Sequence, residues 1–393
     1  MTSHRPTPVT GAGIDENDGD GVVVAPFEPG EQDAPLSRIA PAEVLERWRA
    51  ADRSAHAPRI VAVPGNDGTD WTAAALVTAR PGTAYLKIVD AVGDVPAAVE
   101  AVVAYARDRG LAQVKWEGWT ASTETAAAAG FTELSRPLGR AGEWGQAREE
   151  GEGQEERQAR EEEGEGEPLA GPDTGHVLWL TEAPPSAPPP YYGQTTHFTC
   201  GAVTALVARA HAGALSRAEF DRQAELTLWR EATNFPACEP VGLGVAVRRN
   251  WPSSPVTIHL DTDRPVLLDH LQENEREWRA VLQRASRADA DRLGVPIDPG
   301  HLTIEAIRGT LERRDHVLLL ISLAAMQGFE VPHWVACHGT VPGAIVIEDP
   351  WSNPKTGDTW VDAHLLPVPD ESLDGMSRVG EEGVRGAVVV GRG

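Results

Sequence analysis

Between residues 139 and 175 the chain offers almost nothing to bury, and that stretch constrains how the rest can fold. Glu, Gly, Arg and Gln dominate it, and residues 149–167 alone hold ten Glu against two Arg. So polar a segment cannot offset the entropy of ordering its own backbone, so it reads as a solvated acidic linker. No single hydrophobic core can run through it. The 393 residues therefore divide into separate folding regions, in keeping with domains of roughly 150 residues. The expected organisation is a flexible lead-in over residues 1–35, a first domain over 36–138, the linker over 139–175 and a second domain over 176–393.

Of the formal net charge of -24, residues 149–167 supply -8, a third, and the remainder is scattered. Nothing resembles the basic stripe that a phosphate backbone requires, which argues against a nucleic-acid partner. Three cysteines, Cys200, Cys238 and Cys337, form neither a C-x-x-C pair nor a His/Cys cluster at zinc spacing, so no metal or cofactor is expected. So sparse and odd a count suits a reducing compartment. The N-terminus lacks an apolar run behind a basic start, and the stretch 317–326 is about half a membrane span. These features lead to the expectation of a cytoplasmic protein with no membrane span, while oligomeric state stays open. Arg outnumbers Lys 32 to 3, which points to a GC-rich, bacterial coding composition and not to any activity.

In the first domain the spacing predicts a helix over 41–50, strands over 60–63, 71–79 and 84–92, and a Pro81-Gly82 turn joining the last two. Ala97, Val99, Val102, Val103 and Ala106 then lie on one stripe of a helix that stops at Gly110. A strand over 111–116, a short helix over 124–129 and a strand over 131–134 follow. This order resembles the GNAT-type acetyltransferase fold. That family holds acetyl-CoA on a glycine-rich, basic turn entering the central helix, whose N–H groups bind the pyrophosphate. The matching turn here, Ala91-Val92-Gly93-Asp94-Val95-Pro96, has one glycine, an acid and no basic residue. The resemblance thus implies a small α/β domain without the chemistry.

The richest segment runs from Tyr191 to Val203 and contains Gln194, His197 and Cys200. After Cys200 an apolar, Ala-rich run to Ala210 predicts a helix ending near Gly213. Cys200 then stands at a helix N-terminus, where unpaired N–H groups and the dipole favour a thiolate. Gln194 lies on the loop entering that helix, and its amide could join the Cys200 N–H in binding an acyl oxyanion. Downstream, residues 332–338 and 344–349 read as strands of a hairpin. If the hairpin is centred near Val341, His333 and Asp349 face each other across it, with the carboxylate orienting the imidazole.

Gln194, then Cys200-Gly201-Ala202 at a helix start, then His333-Trp334 and Asp349-Pro350, resembles the papain-type fold, and within it the bacterial peptidases that cleave double-glycine leader peptides of bacteriocins. What the resemblance implies is an α+β domain in which a nucleophile helix packs on an antiparallel sheet. The implied roles are Cys200 as nucleophile, His333 as general base then acid, Asp349 as orienting group and Gln194 as oxyanion donor, acting on a peptide or protein substrate. Many such peptidases carry Asp immediately before the nucleophile, where this chain has Thr199.

Three readings of function follow: a cysteine peptidase or related acyl hydrolase, a peptidase-like binding module without activity, or acyl transfer of the transglutaminase or amide-forming kind by the same triad. His333, Cys337 and His338 make a weak metal set, because on a strand His338 points away from the other two. Cys238 is expected in a turn with no helix after it. His197 could line the cleft or be a solvated loop residue. Arg248, Arg249 and Trp251 carry no assigned role.

Overall fold

The computed structural model describes residues 21–29, 34–66, 70–138, 172–181, 187–232, 237–268 and 271–392. Nearly all of the acidic linker and most of the lead-in lie outside these residues. The expected α+β class is what the chain adopts, as two seven-stranded sheets with flanking helices.

The first sheet contains β1 (Val23–Pro26), β2 (Arg59–Pro64), β3 (Trp71–Thr78), β4 (Tyr85–Gly93), β5 (Gln113–Glu117), β6 (Thr132–Glu133) and β7 (Gly175–Trp179), in the order β1-β2-β3-β4-β5-β7-β6. Only the β4–β5 pair is parallel, because a helix, α1 (Val95–Asp108), connects the two strands. Ala98, Val99, Val102, Val103 and Ala106 of α1 pack on Ala73, Ala75, Ile88, Val114 and Trp116 of the sheet. That is the stripe expected from the helical period, except that Ala98 takes the buried place and Ala97 is only half-buried at its edge. Gly82 takes φ +72° in the β3–β4 turn, a backbone state that favours glycine.

One boundary is corrected. The second domain was expected to begin near His176, yet β7 pairs antiparallel with both β5 and β6. The chain thus returns after the acidic stretch to complete the first sheet. The inter-strand bonds of β5 would otherwise go unmade, and β7 supplies them.

The second sheet contains β8 (Val256–Leu260), β9 (Ile297–Asp298), β10 (His316–Ser322), β11 (Pro332–Val341), β12 (Ala344–Glu348), β13 (Leu366–Pro369) and β14 (Gly386–Val390), ordered β13-β12-β11-β10-β14-β8-β9. On one face Leu318, Leu320, Trp334, Ala336 and Val388 meet the helices α2 (Cys200–His211), α3 (Arg222–Ala232) and α4 (Pro240–Asn250). On the other, Val317, Leu319, Ile321, Val335, Cys337, Ile345 and Ile347 pack with Ile304, Ile307 and Leu311, and with Tyr85 of the first sheet. Side chains alternate across a strand, so β10, covered on both faces, reads as one unbroken apolar run. The two sheets are joined by a shared cluster that includes Ala112, Val177, Tyr191, Val346 and Trp360, and by a backbone bond from Ala84 N to Pro367 O of 2.9 Å.

The hairpin register differs from a pairing centred on Val341. Val341 sits opposite Ala344, a bulge at His338 inserts one residue, and the ladder ends with Ala336 opposite Glu348. Continued, that register sets position 349 across from 335, so His333 and Asp349 are diagonal neighbours on one face. The turn residue Gly343, at φ +73°, sets the offset.

Candidate active site

Cys200 is the first residue of α2, which begins after Thr199. Gly201 lets this first turn come close to its surroundings: a side chain there would meet Cys238 Cβ at 3.1 Å and Trp334 Cδ1 at 3.2 Å. Trp334 is itself fixed by donating from Nε1 to Cys238 O at 3.0 Å. Neighbouring Trp334 on β11 is His333, which the packing of α2 on this strand brings into hydrogen-bond contact with the Cys200 thiol. On the imidazole's other side, Nε2 lies 2.7 Å from Asp349 Oδ1. All three side chains are buried.

The electrostatics match a charged pair. Burial works against the His333 imidazolium, but the charge and hydrogen bond of Asp349 outweigh it, and with the Cys200 contact they push its pKa up to about 10. Burial would raise Asp349; His333 first, then Arg80, hold it below the usual carboxylate range. Cys337, by contrast, is enclosed in apolar packing that drives its thiol up to about 12.

Gln194 is placed beside these groups by a backbone bond from its N–H to Pro350 O of 2.7 Å. Its Nε2 donates to Thr196 O at 2.8 Å, while its buried Oε1 has no partner among the described residues. An amide nitrogen carries two N–H groups, so one remains for a ligand. His197 is solvent-exposed. The loop's rigidity comes from Glu225 on α3. Its buried carboxylate receives Tyr192 Oη at 2.9 Å, Thr195 N at 2.8 Å, Thr195 Oγ1 at 2.9 Å and Thr199 Oγ1. Sequence reasoning missed Glu225, although a signal existed: it shares a helical stripe with Leu228 and Ala232, all three buried. A carboxylate on a neighbouring helix thus reaches Thr199, the residue before Cys200.

Other expectations change. Cys238 does precede a helix: Glu239 caps α4 by accepting from Val241 N and Gly242 N, both at 2.7 Å. Arg248 donates to Ser254 O, Arg249 pairs with Asp289 and Trp251 packs under Arg209, so these three residues serve local structure. His338, on the bulge, pairs with Glu348, and among the described residues no group of three His, Cys, Asp or Glu could hold a metal.

A thiol, an imidazole and a carboxylate in hydrogen-bonded series, with the thiol at a helix N-terminus, is the arrangement that the α+β scaffold presents. The family described as "Peptidase_C39 like family" matches residues 189–391, just over half of the chain, and the chain belongs to it. Solved acetyltransferases match the N-terminal part. One from Bacillus subtilis, in complex with CoA, is 10% identical with a TM-score of 0.24, over 40% of this chain and 99% of that one. The ribosomal-protein-S18-alanine N-acetyltransferase from Escherichia coli is 11% identical with a TM-score of 0.24, over 42% and 98%. A nourseothricin acetyltransferase is 18% identical with a TM-score of 0.18 over 21% of this chain, which spans only 54% of that protein's length. Likenesses this slight carry no functional weight. A comparison with curated proteins finds no match.

Among the described residues no helix is long and apolar enough to cross a membrane.

Proposed function

We propose that the chain is a cysteine peptidase or related acyl hydrolase that cleaves a peptide or amide bond through a thioester on Cys200. The observation that carries this reading is the linked series Cys200, His333 and Asp349, with 2.7 Å between the last two. Cys200 Sγ attacks the carbonyl carbon as a thiolate. The developing oxyanion accepts from the Cys200 backbone N–H and the free N–H of Gln194 Nε2. His333 gives its proton to the leaving amine, and the C–N bond breaks to leave the thioester. Water then attacks with His333 as base and releases the acid. Asp349 stabilises the imidazolium throughout and holds the tautomer whose Nε2–H donates to it. An amine in place of water would give acyl transfer by the same thioester. The three cysteines are all free, which fits a reducing, cytoplasmic setting.

The first domain is read as non-catalytic because its residues do not fit acetyl-CoA. The start of α1 is where a pyrophosphate would sit, but Asp94 caps Ala97 N at 3.2 Å and Pro96 has no N–H. An acid thus occupies the place of the phosphate, with no basic residue in the turn.

The test is sub-stoichiometric iodoacetamide labelling of the native protein at mildly acidic pH, located by peptide mass spectrometry. Cys200 is expected to carry the label, with Cys238 and Cys337 nearly free of it. Equal modification of all three, or none at Cys200, would end the reading.

A further inference from the structure

We propose that Arg80, on the β3–β4 turn of the first sheet, is a positioning residue for the site in the second: it holds the carboxylate that holds His333. The proposal rests on the roles given above to Cys200, His333 and Asp349. It makes the first domain a working part of the site.

The Asp349 carboxylate faces three donors. Oδ1 receives His333 Nε2 at 2.7 Å and Trp351 N at 2.9 Å, and Oδ2 receives Arg80 Nη1 at 2.6 Å. The Arg80 and Asp349 side chains are wholly buried, so no water stands ready to replace a lost partner. The guanidinium is aimed by a second carboxylate. Arg80 Nε and Nη2 grip Asp358 Oδ1 and Oδ2 at 3.1 and 2.7 Å, and Nη2 also reaches Trp351 O at 3.1 Å. Asp358 is itself held by Asn353 N at 3.0 Å and Gln327 Nε2 at 3.2 Å. A two-pronged grip of this kind fixes the plane of a guanidinium, so Nη1 has one direction left to point, and Asp349 Oδ2 lies there.

Adhesion between the sheets alone would not need this third bond. Lys87 already pairs with Asp362 at 2.5 Å and Glu117 at 2.7 Å, and Lys115 Nζ donates to Asp362 O at 2.9 Å and His364 O at 2.6 Å. Three buried basic side chains of the first sheet thus meet the stretch of chain that follows Asp349. That stretch is laid against the first sheet, and the position of the catalytic carboxylate depends on it.

Against Asp349 stand His333, Arg80 and the Trp351 N–H, with the buried Tyr191 phenol close by, Cys200 reached through His333, and the acids Asp358, across Arg80, and Glu348, next in the chain, near the same phenol. Glu348 is taken up by His338 and His364. Without Arg80, burial and the neighbouring acids would raise the Asp349 carboxyl, and it would take a proton at higher pH. Below that pH the imidazolium loses its support, and with it the reactivity of Cys200.

The experiment compares the full-length wild type with Arg80→Met, reading the rate of Cys200 alkylation by iodoacetamide as a function of pH, with thermal melting to confirm folding. Removing the arginine beside the carboxylate is expected to move the acid limb of the profile upward by about one pH unit or more. A folded variant with lower melting temperature but an unmoved acid limb would show that Arg80 only joins the sheets, and would overturn the proposal. If Arg80→Met does not fold, Arg80→Lys decides. Its ammonium keeps the charge but cannot grip Asp358 and reach Asp349 together, so a smaller upward shift is expected; an unchanged limb would overturn the proposal. Absence of Cys200 alkylation in the wild type would instead refute the underlying reading of the site.

Discussion

Replacing Asp349 with Asn separates the carboxylate's charge from its shape. Asn retains one acceptor oxygen, but all three groups hydrogen-bonded to the Asp349 carboxylate are donors: His333 Nε2, Trp351 N and Arg80 Nη1. Its NH2 must therefore meet a donor, and the charge that supports the imidazolium is gone. His333 stands at about 10 because that charge outweighs burial. In Asp349→Asn burial prevails, and the imidazole is expected to titrate at or below its ordinary value near 6.5. A fall of about 3.5 units or more corresponds to roughly 5 kcal/mol of lost preference for the imidazolium. NMR titration of selectively labelled histidines reads this directly. The sign also governs stability. A histidine with a raised folded-state pKa contributes stabilisation that is complete below about 6.5 and is lost as pH rises toward about 10. The variant should lose this alkaline decline in urea melts. If His333 in folded Asp349→Asn still titrates where the wild type does, the carboxylate is not what sets its charge, and the pairing would need another explanation.

Two further variants probe the loop before Cys200. Glu225→Leu leaves Tyr192 and Thr195 with buried donors and no acceptor and Thr199 with only its long bond to Thr196 O, and should cost about 3–5 kcal/mol in denaturant unfolding while slowing alkylation of Cys200; a loss under about 1 kcal/mol would mean that Glu225 does not hold the loop. Gln194→Ala removes one oxyanion donor and, on a verified substrate, should lower kcat by ~100 to 1,000-fold with KM little changed; an equal rise in KM with kcat intact would make Gln194 a substrate-binding group instead.

Much of the site could be read from the chain because its determinants are local. A cysteine opening an Ala-rich helix is visible in ten residues, and α2 spans Cys200–His211. The nearness of His333 and Asp349 was also legible, though by a register that the hairpin does not use. The bulge at His338 and the Ala336–Glu348 end of the ladder depend on how the turn and sheet twist settle. A Cys238 turn leading into α4 was missed because Pro240-Val241-Gly242-Leu243-Gly244 reads as loop. Its glycines serve close packing instead, as at Gly244, where a side chain would meet Ile258 Cγ1 at 2.4 Å.

The residue types, the α+β class and the order Cys200, His333, Asp349 are properties of the sequence by itself, because periodicity and helix starts arise from neighbours a few positions apart. Three things belong to the tertiary structure alone. The return of β7 to the first sheet crosses the acidic stretch, so no local pattern announces it. Glu225 meets Thr199 only because α3 packs beside α2. Arg80 meets Asp349 from 269 positions away, and nothing in the Pro81-Gly82 turn marks it as different from a surface arginine. A buried charge is stable only where its counter-charge is also buried, and which charges are enclosed together is decided when the two sheets pack.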